Sequence, residues 1–142
     1  MILILFIFFF SFSFSEILDH QIPKAVYYKS PLEIKVYTDY TLDQISQINI
    51  FYRSNSSSIF MKGPLNQLLN DYYSYTIPAE FINDKYIEYY ILLETNDGKF
   101  NSIPKHDPHD VPISLKVSEE ISINTENFQD ILIESDVNII SP

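Results

Sequence analysis

The chain contains no cysteine, and that one absence removes disulfides, thiolate metal sites, a cysteine nucleophile and cysteine lipidation. Its 142 residues can bury a core without covalent staples, so export stays open to it. Basic side chains are scarce as well. Nine Lys and Arg stand against nineteen Asp and Glu, a formal charge of −10, and the nine are scattered singly. Such a surface repels phosphate backbones and argues against nucleic acid as a partner. Glycine occurs only at Gly63 and Gly98, and no Gly-x-Ser-x-Gly elbow exposes a nucleophilic serine. There is no Asp-x-Asp-x-Asp-Gly loop for calcium. The carboxylates are spread along the chain, and none is boxed in by apolar neighbours that would raise its pKa. Neither an enzyme nor a resident cofactor is expected.

What is present fits a single folded domain with an export signal in front. Hydrophobic residues make up 46% of the chain and aromatic residues 15%, which excludes a disordered polypeptide. Residues 1–15 form an apolar opening that closes with Ser-Phe-Ser-Phe-Ser before the first charge, Glu16. Its core is too short for a bilayer, which needs roughly 20 residues. Ser13 and Ser15 supply the small residues a signal peptidase accepts, so cleavage is expected after Ser15. An uncleaved anchor is the alternative, and it is the only membrane contact expected.

Beyond the signal, the dominant pattern is a two-residue repeat. It is clearest over residues 86–95, where Ile87, Tyr89, Ile91 and Leu93 share one face and Glu88 and Glu94 the other, the signature of a half-buried strand. Asn96-Asp97-Gly98 then signals a chain reversal. The same alternation marks Leu32, Ile34 and Val36, then Ile48, Ile50 and Tyr52, then Tyr73, Tyr75 and Ile77, and finally Ile113, Leu115 and Val117. An extended edge segment is expected at residues 24–28, a short strand at 59–62, a helical turn at 64–70, and a polar connection at 96–111. About seven short strands without a helical period predict an all-β, antiparallel two-sheet sandwich over residues 16–118. A small closed barrel is the runner-up. Residues 119–142 read as an acidic linker, with residues 131–140 apolar enough to begin a further module.

In order and spacing, these strands resemble the immunoglobulin-like or fibronectin type III-like modules of exported bacterial surface proteins. The resemblance rests on His20-x-x-Pro23, Leu32-x-Ile34-x-Val36, Ile48-x-Ile50-x-Tyr52-Arg53, Tyr73-x-x-x-Ile77-Pro78, Ile87-Glu88-Tyr89-Tyr90-Ile91 and the Asp97-Gly98 turn. It lacks the cysteine pair and tryptophan of antibody domains. It implies an immunoglobulin-like sandwich serving as a non-catalytic interaction or spacer module. That module would lie near the N-terminus of an exported protein of the cell surface, envelope or periplasm, with a protein or surface polymer as partner.

Sandwich topology adds two expectations: Arg53 and Glu88 face each other across neighbouring strands, and the inward Tyr89 hydroxyl pins a corner by bonding upstream backbone. His106, Asp107, His109 and Asp110 form the one cluster of metal-ligand types, with Asp97 on the same connection. The same residues also suit a solvated turn. Tyr27, Tyr28, Tyr37, Tyr72 and Tyr90 have registers that leave them outside, where aromatic faces can stack on sugars. A carbohydrate-binding module is therefore the alternative function. Asn55-Ser56-Ser57 matches a glycosylation acceptor.

Overall fold

The computed structural model describes residues 17–119, so the signal segment and the acidic tail lie outside the described residues. Among the described residues the fold is all-β, with ten strands and one 3₁₀ turn at Ala79–Phe81. The strands are β1 (Leu18–His20), β2 (Val26–Tyr27), β3 (Leu32–Thr38), β4 (Ile45–Ser54), β5 (Met61–Pro64), β6 (Asn66–Leu69), β7 (Tyr72–Ile77), β8 (Tyr86–Thr95), β9 (Phe100–Ile103) and β10 (Ile113–Ser118). They form a four-stranded sheet in the order β1-β3-β7-β6 and a six-stranded sheet in the order β2-β10-β8-β4-β5, with β9 also on β8. The arrangement is a curled half-barrel.

β8 organises the larger sheet. One of its edges is paired along most of its length with β4, from Ser54↔Ile87 to Ile45↔Thr95. Its other edge is divided. The first half pairs with β10, as in Ile113↔Tyr89, and the second half with β9, as in Ile103↔Ile91. β9 and β10 therefore act as one strand interrupted by a loop, residues 104–112, which leaves the sheet opposite Tyr90. Inward, Ile87, Tyr89, Ile91 and Leu93 have no exposed surface. Burial of this kind is worth about 1.5–3 kcal/mol per large side chain. Ile50 lies directly across from Ile91, and Leu115, opposite Ile87, packs against the same core. The smaller sheet contributes Leu32, Ile34, Val36, Tyr73 and Ile77.

Four expectations are corrected. The larger sheet is mixed rather than antiparallel, because β2 runs parallel to β10 at Val26↔Val117 and Tyr27↔Ser118. Residues 64–70 are strand rather than a helical turn: the chain crosses from one sheet to the other at buried Leu65, whose N–H bonds Ile48 at 2.9 Å, and continues as β6. The connection after Gly98 is not wholly irregular, since β9 completes the exposed half of the β8 edge. Strands therefore number ten among the described residues instead of about seven, the extra ones, β1, β6 and β9, being only three or four residues long.

Gly63 leaves room for an aromatic ring from the facing sheet. It faces inward on β5, and a β-carbon there would overlap the Tyr75 ring and come within 2.8 Å of its hydroxyl. Tyr75, on β7, reaches across the core to place its hydroxyl 3.1 Å from that of Tyr52 on β4. Gly63→Ala is expected to cost about 1–3 kcal/mol, as overpacking of a filled core does, and a second substitution, Tyr75→Leu, should recover part of it. Urea denaturation of the parent, Gly63→Ala and the double variant measures both effects. Unchanged stability in Gly63→Ala would contradict this packing.

Candidate functional site

Three places on the described surface concentrate side chains with binding chemistry. The first is the outer face of the larger sheet, where strand alternation turns Phe51 and Arg53 of β4 and Glu88 and Tyr90 of β8 away from the core. Arg53 and Glu88 are cross-strand partners, and the guanidinium Nε donates to the carboxylate at 2.7 Å. Both side chains are about one-fifth exposed (21% each), so the pair belongs at the upper end of the 0.2–1 kcal/mol typical of such contacts. Phe51 stacks on Tyr90 with centroids 4.7 Å apart and planes 8° from parallel. Phe60, from the loop between β4 and β5, meets Tyr90 edge-on at 5.1 Å, and the Arg53 guanidinium lies over the Phe60 ring at 4.2 Å. Tyr90 is thereby covered, at 9% exposure, contrary to its expected place on the surface.

His109 also belongs to this cluster. Its ring lies 5.4 Å from Phe60 and 6.4 Å from Tyr90, and its Nδ1 is 2.9 Å from Asp110. The loop turns at Asp107, which has φ 44° and whose carbonyl accepts from the N–H groups of Asp110 and Val111. Thus His109 anchors the loop on aromatic rings. His106 and Asp107 are exposed, and no group of three or more His, Asp or Glu side chains able to hold a metal exists among the described residues. Asp97 is committed elsewhere: the Lys99 ammonium at 2.7 Å and the Thr95 hydroxyl hold its carboxyl down to about 2.

The second place is the corner between the sheets. His20 of β1 turns inward, and its Nδ1 lies 2.7 Å from the Lys35 carbonyl. A carbonyl only accepts, so Nδ1 carries the proton. Nε2 then accepts from the Tyr89 hydroxyl at 2.7 Å. The expected bond from the Tyr89 hydroxyl to upstream backbone is corrected: the hydroxyl meets the His20 imidazole, which in turn bonds the Lys35 carbonyl. Burial pushes the His20 pKa down, opposed by the Lys35 carbonyl and the Asp19 charge.

The third place is the edge of the smaller sheet. β6 pairs only with β7, and all four of its residues, Asn66, Gln67, Leu68 and Leu69, are exposed and uncharged. A register shift between Gln67 and Leu69 adds the local twist of a bulge. Leu68 is 54% exposed, Leu69 71% and Leu42 63%. They border a groove of about 660 Å³ that is also lined by Tyr40 and Tyr73. By contrast, the β5 edge carries Lys62 and Pro64, two of the residues that discourage strand pairing.

The five tyrosines expected outside do not make one strip. Tyr27 and Tyr28 lie at β2, Tyr37 and Tyr72 are neighbours across β3 and β7, and Tyr90 is covered by Phe51 and Phe60. Asn55 is exposed in the turn after β4, with its N–H bonded to the Tyr86 carbonyl at 3.1 Å.

The His20 bridge has a pH signature. Folding favours the neutral imidazole, so between the unfolded value of about 6.5 and the lower folded value the unfolded chain binds more protons. Stability should fall as pH drops through that window and level off below it. Thermal melts at about pH 7.5 and about pH 5.5 should differ less in His20→Gln than in the parent; equal differences would contradict the bridge. No protein-family model matches the chain, and no curated protein is significantly similar to it.

Proposed function

We propose that the chain is a non-catalytic interaction module of immunoglobulin-like type, placed near the front of an exported protein of the cell surface or envelope. The sheet orders support the fold part of this reading. β1-β3-β7-β6 corresponds to strands A, B, E and D of such a sandwich, and β10-β8-β4-β5 to G, F, C and C′. Tyr89, on the strand equivalent to F, ties that strand to the facing sheet through its hydrogen bond to His20 of β1. The apolar opening, residues 1–15, supports export.

The observation that carries the functional part is the β6 edge. Solvent-facing strand edges are ordinarily guarded by charge, proline or a covering segment. Here the exposed leucines Leu68 and Leu69 sit on an uncharged strand beside a groove bordered by Leu42, in a chain whose net charge is −10. Exposed leucines on an edge strand, beside a groove, are the kind of place a protein partner covers. The partner it suits is an extended apolar segment, which would add a strand to β6 through backbone hydrogen bonds and fill the groove with alternate side chains.

Fluorescence anisotropy with labelled extended peptides of alternating Val and Thr tests this. The parent protein should bind, and a variant carrying Leu68→Lys and Leu69→Lys should lose at least about tenfold in affinity while melting within a few degrees of the parent. Absence of binding by the parent, or undiminished binding by the variant, would overturn the edge-strand reading.

A further inference from the structure

We infer that the outer face of the smaller sheet, at Tyr37 and Tyr72, is a binding site for a neutral glycan whose successive sugar rings turn relative to one another. The inference does not rest on the strand-addition reading. Tyr37 and Tyr72 are direct cross-strand partners on β3 and β7, both turned away from the core by the alternation that buries Val36 and Tyr73. Tyr72 is 53% exposed. A groove of about 500 Å³ lies against the pair, lined also by Asp19, His20, Gln21 and Lys35.

Sugar recognition needs two kinds of surface together: an aromatic face for the apolar C–H side of the ring, and donors and acceptors beside it for the hydroxyls. This groove has both. Asp19 is registered opposite Tyr37, and its carboxylate accepts from the His20 N–H at 2.8 Å. That leaves further lone pairs for hydroxyl donors. Lys35 lies in the next row, 3.0 Å from Glu33 and with its side chain 57% exposed, so its ammonium keeps protons for hydroxyl oxygens. Gln21 offers both functions. His20 contributes only its ring wall, because both of its nitrogens are committed to Lys35 and Tyr89.

Two further features narrow the ligand. The groove's two charged side chains, Asp19 and Lys35, are of opposite sign, and the Glu33 carboxylate lies 3.0 Å from the Lys35 ammonium, so no surplus positive charge is left to hold a polyanion. The two tyrosine rings have centroids 5.4 Å apart and planes inclined by 56°. A flat ribbon of sugars can lie against only one of two such planes, whereas a chain whose rings rotate from one sugar to the next can follow both.

Affinity electrophoresis of the full-length protein in gels containing a soluble, helical α-linked glucan, a soluble, flat β-linked glucan or a polyuronate tests this directly. Retardation is expected in the α-linked glucan alone. Tyr72→Ala and Tyr37→Ala should each weaken it at least about tenfold, while Tyr72→Phe, which keeps the ring face, should retain it. Tyr28→Ala removes an exposed tyrosine outside this groove and should leave it unchanged. Circular dichroism of each variant checks that the sheets persist. No retardation by the α-linked glucan, equal retardation by the flat glucan or the polyuronate, or undiminished retardation in both alanine variants with the sheets intact would overturn the inference.

Discussion

The fold depends on one strand being satisfied on every side. β8 has partners on both edges, a fully buried inner face, and an outer face on which three side chains are tied down. Glu88 meets Arg53, Tyr90 stacks on Phe51, and Glu94 accepts from the Gln47 amide. A strand held in this way has no register to slip into, because a shift by one residue would bring Glu88 and Glu94 into the core. The divided edge is the price of its length. β10 alone is too short to cover ten residues, so β9 covers the rest and the intervening loop is expelled opposite Tyr90.

That central strand was the most legible part of the sequence, for a physical reason: over ten residues, alternation puts Ile87, Tyr89, Ile91 and Leu93 on one face and both glutamates on the other. The Arg53–Glu88 pair was legible for the same reason, as two outward charges of opposite sign on strands that had to be neighbours. Short elements were not. Phe100-Asn101-Ser102-Ile103 has no alternation of its own and is a strand because β8 offers it an unpaired edge. Residues 66–69 place two polar residues before two leucines and follow a proline, a local pattern of turns, yet they continue an extended chain across the sheets. The parallel contact of β2 with β10 involves two residues on each side and leaves no periodic trace.

Side-chain chemistry was legible by type and not by place. His106, Asp107, His109 and Asp110 have ligand character, but the direction in which each points is set by the turn at Asp107 and by the Phe60 and Tyr90 rings that hold His109. Tyr90 has an outward register and is covered all the same, because a loop from elsewhere brings Phe60 over it. His20 lies on a three-residue strand, where His20-x-x-Pro23 marks an opening and no more, and its role follows from meeting Tyr89 across the sheets. The smaller sheet carries exposed leucine and tyrosine on its edge and outer face, while Phe51, Arg53, Glu88 and Tyr90 on the outer face of the larger sheet are paired with one another.

Native-state hydrogen exchange tests most directly the claim that β8 is the strand on which the rest is built. Backbone amides from Ile87 to Leu93 should exchange only through global unfolding, with protection equal to the stability measured by denaturant, while those of β6 exchange through smaller local openings. Exchange of the β8 amides at the rate of the β6 amides, well below the global unfolding free energy, would contradict it.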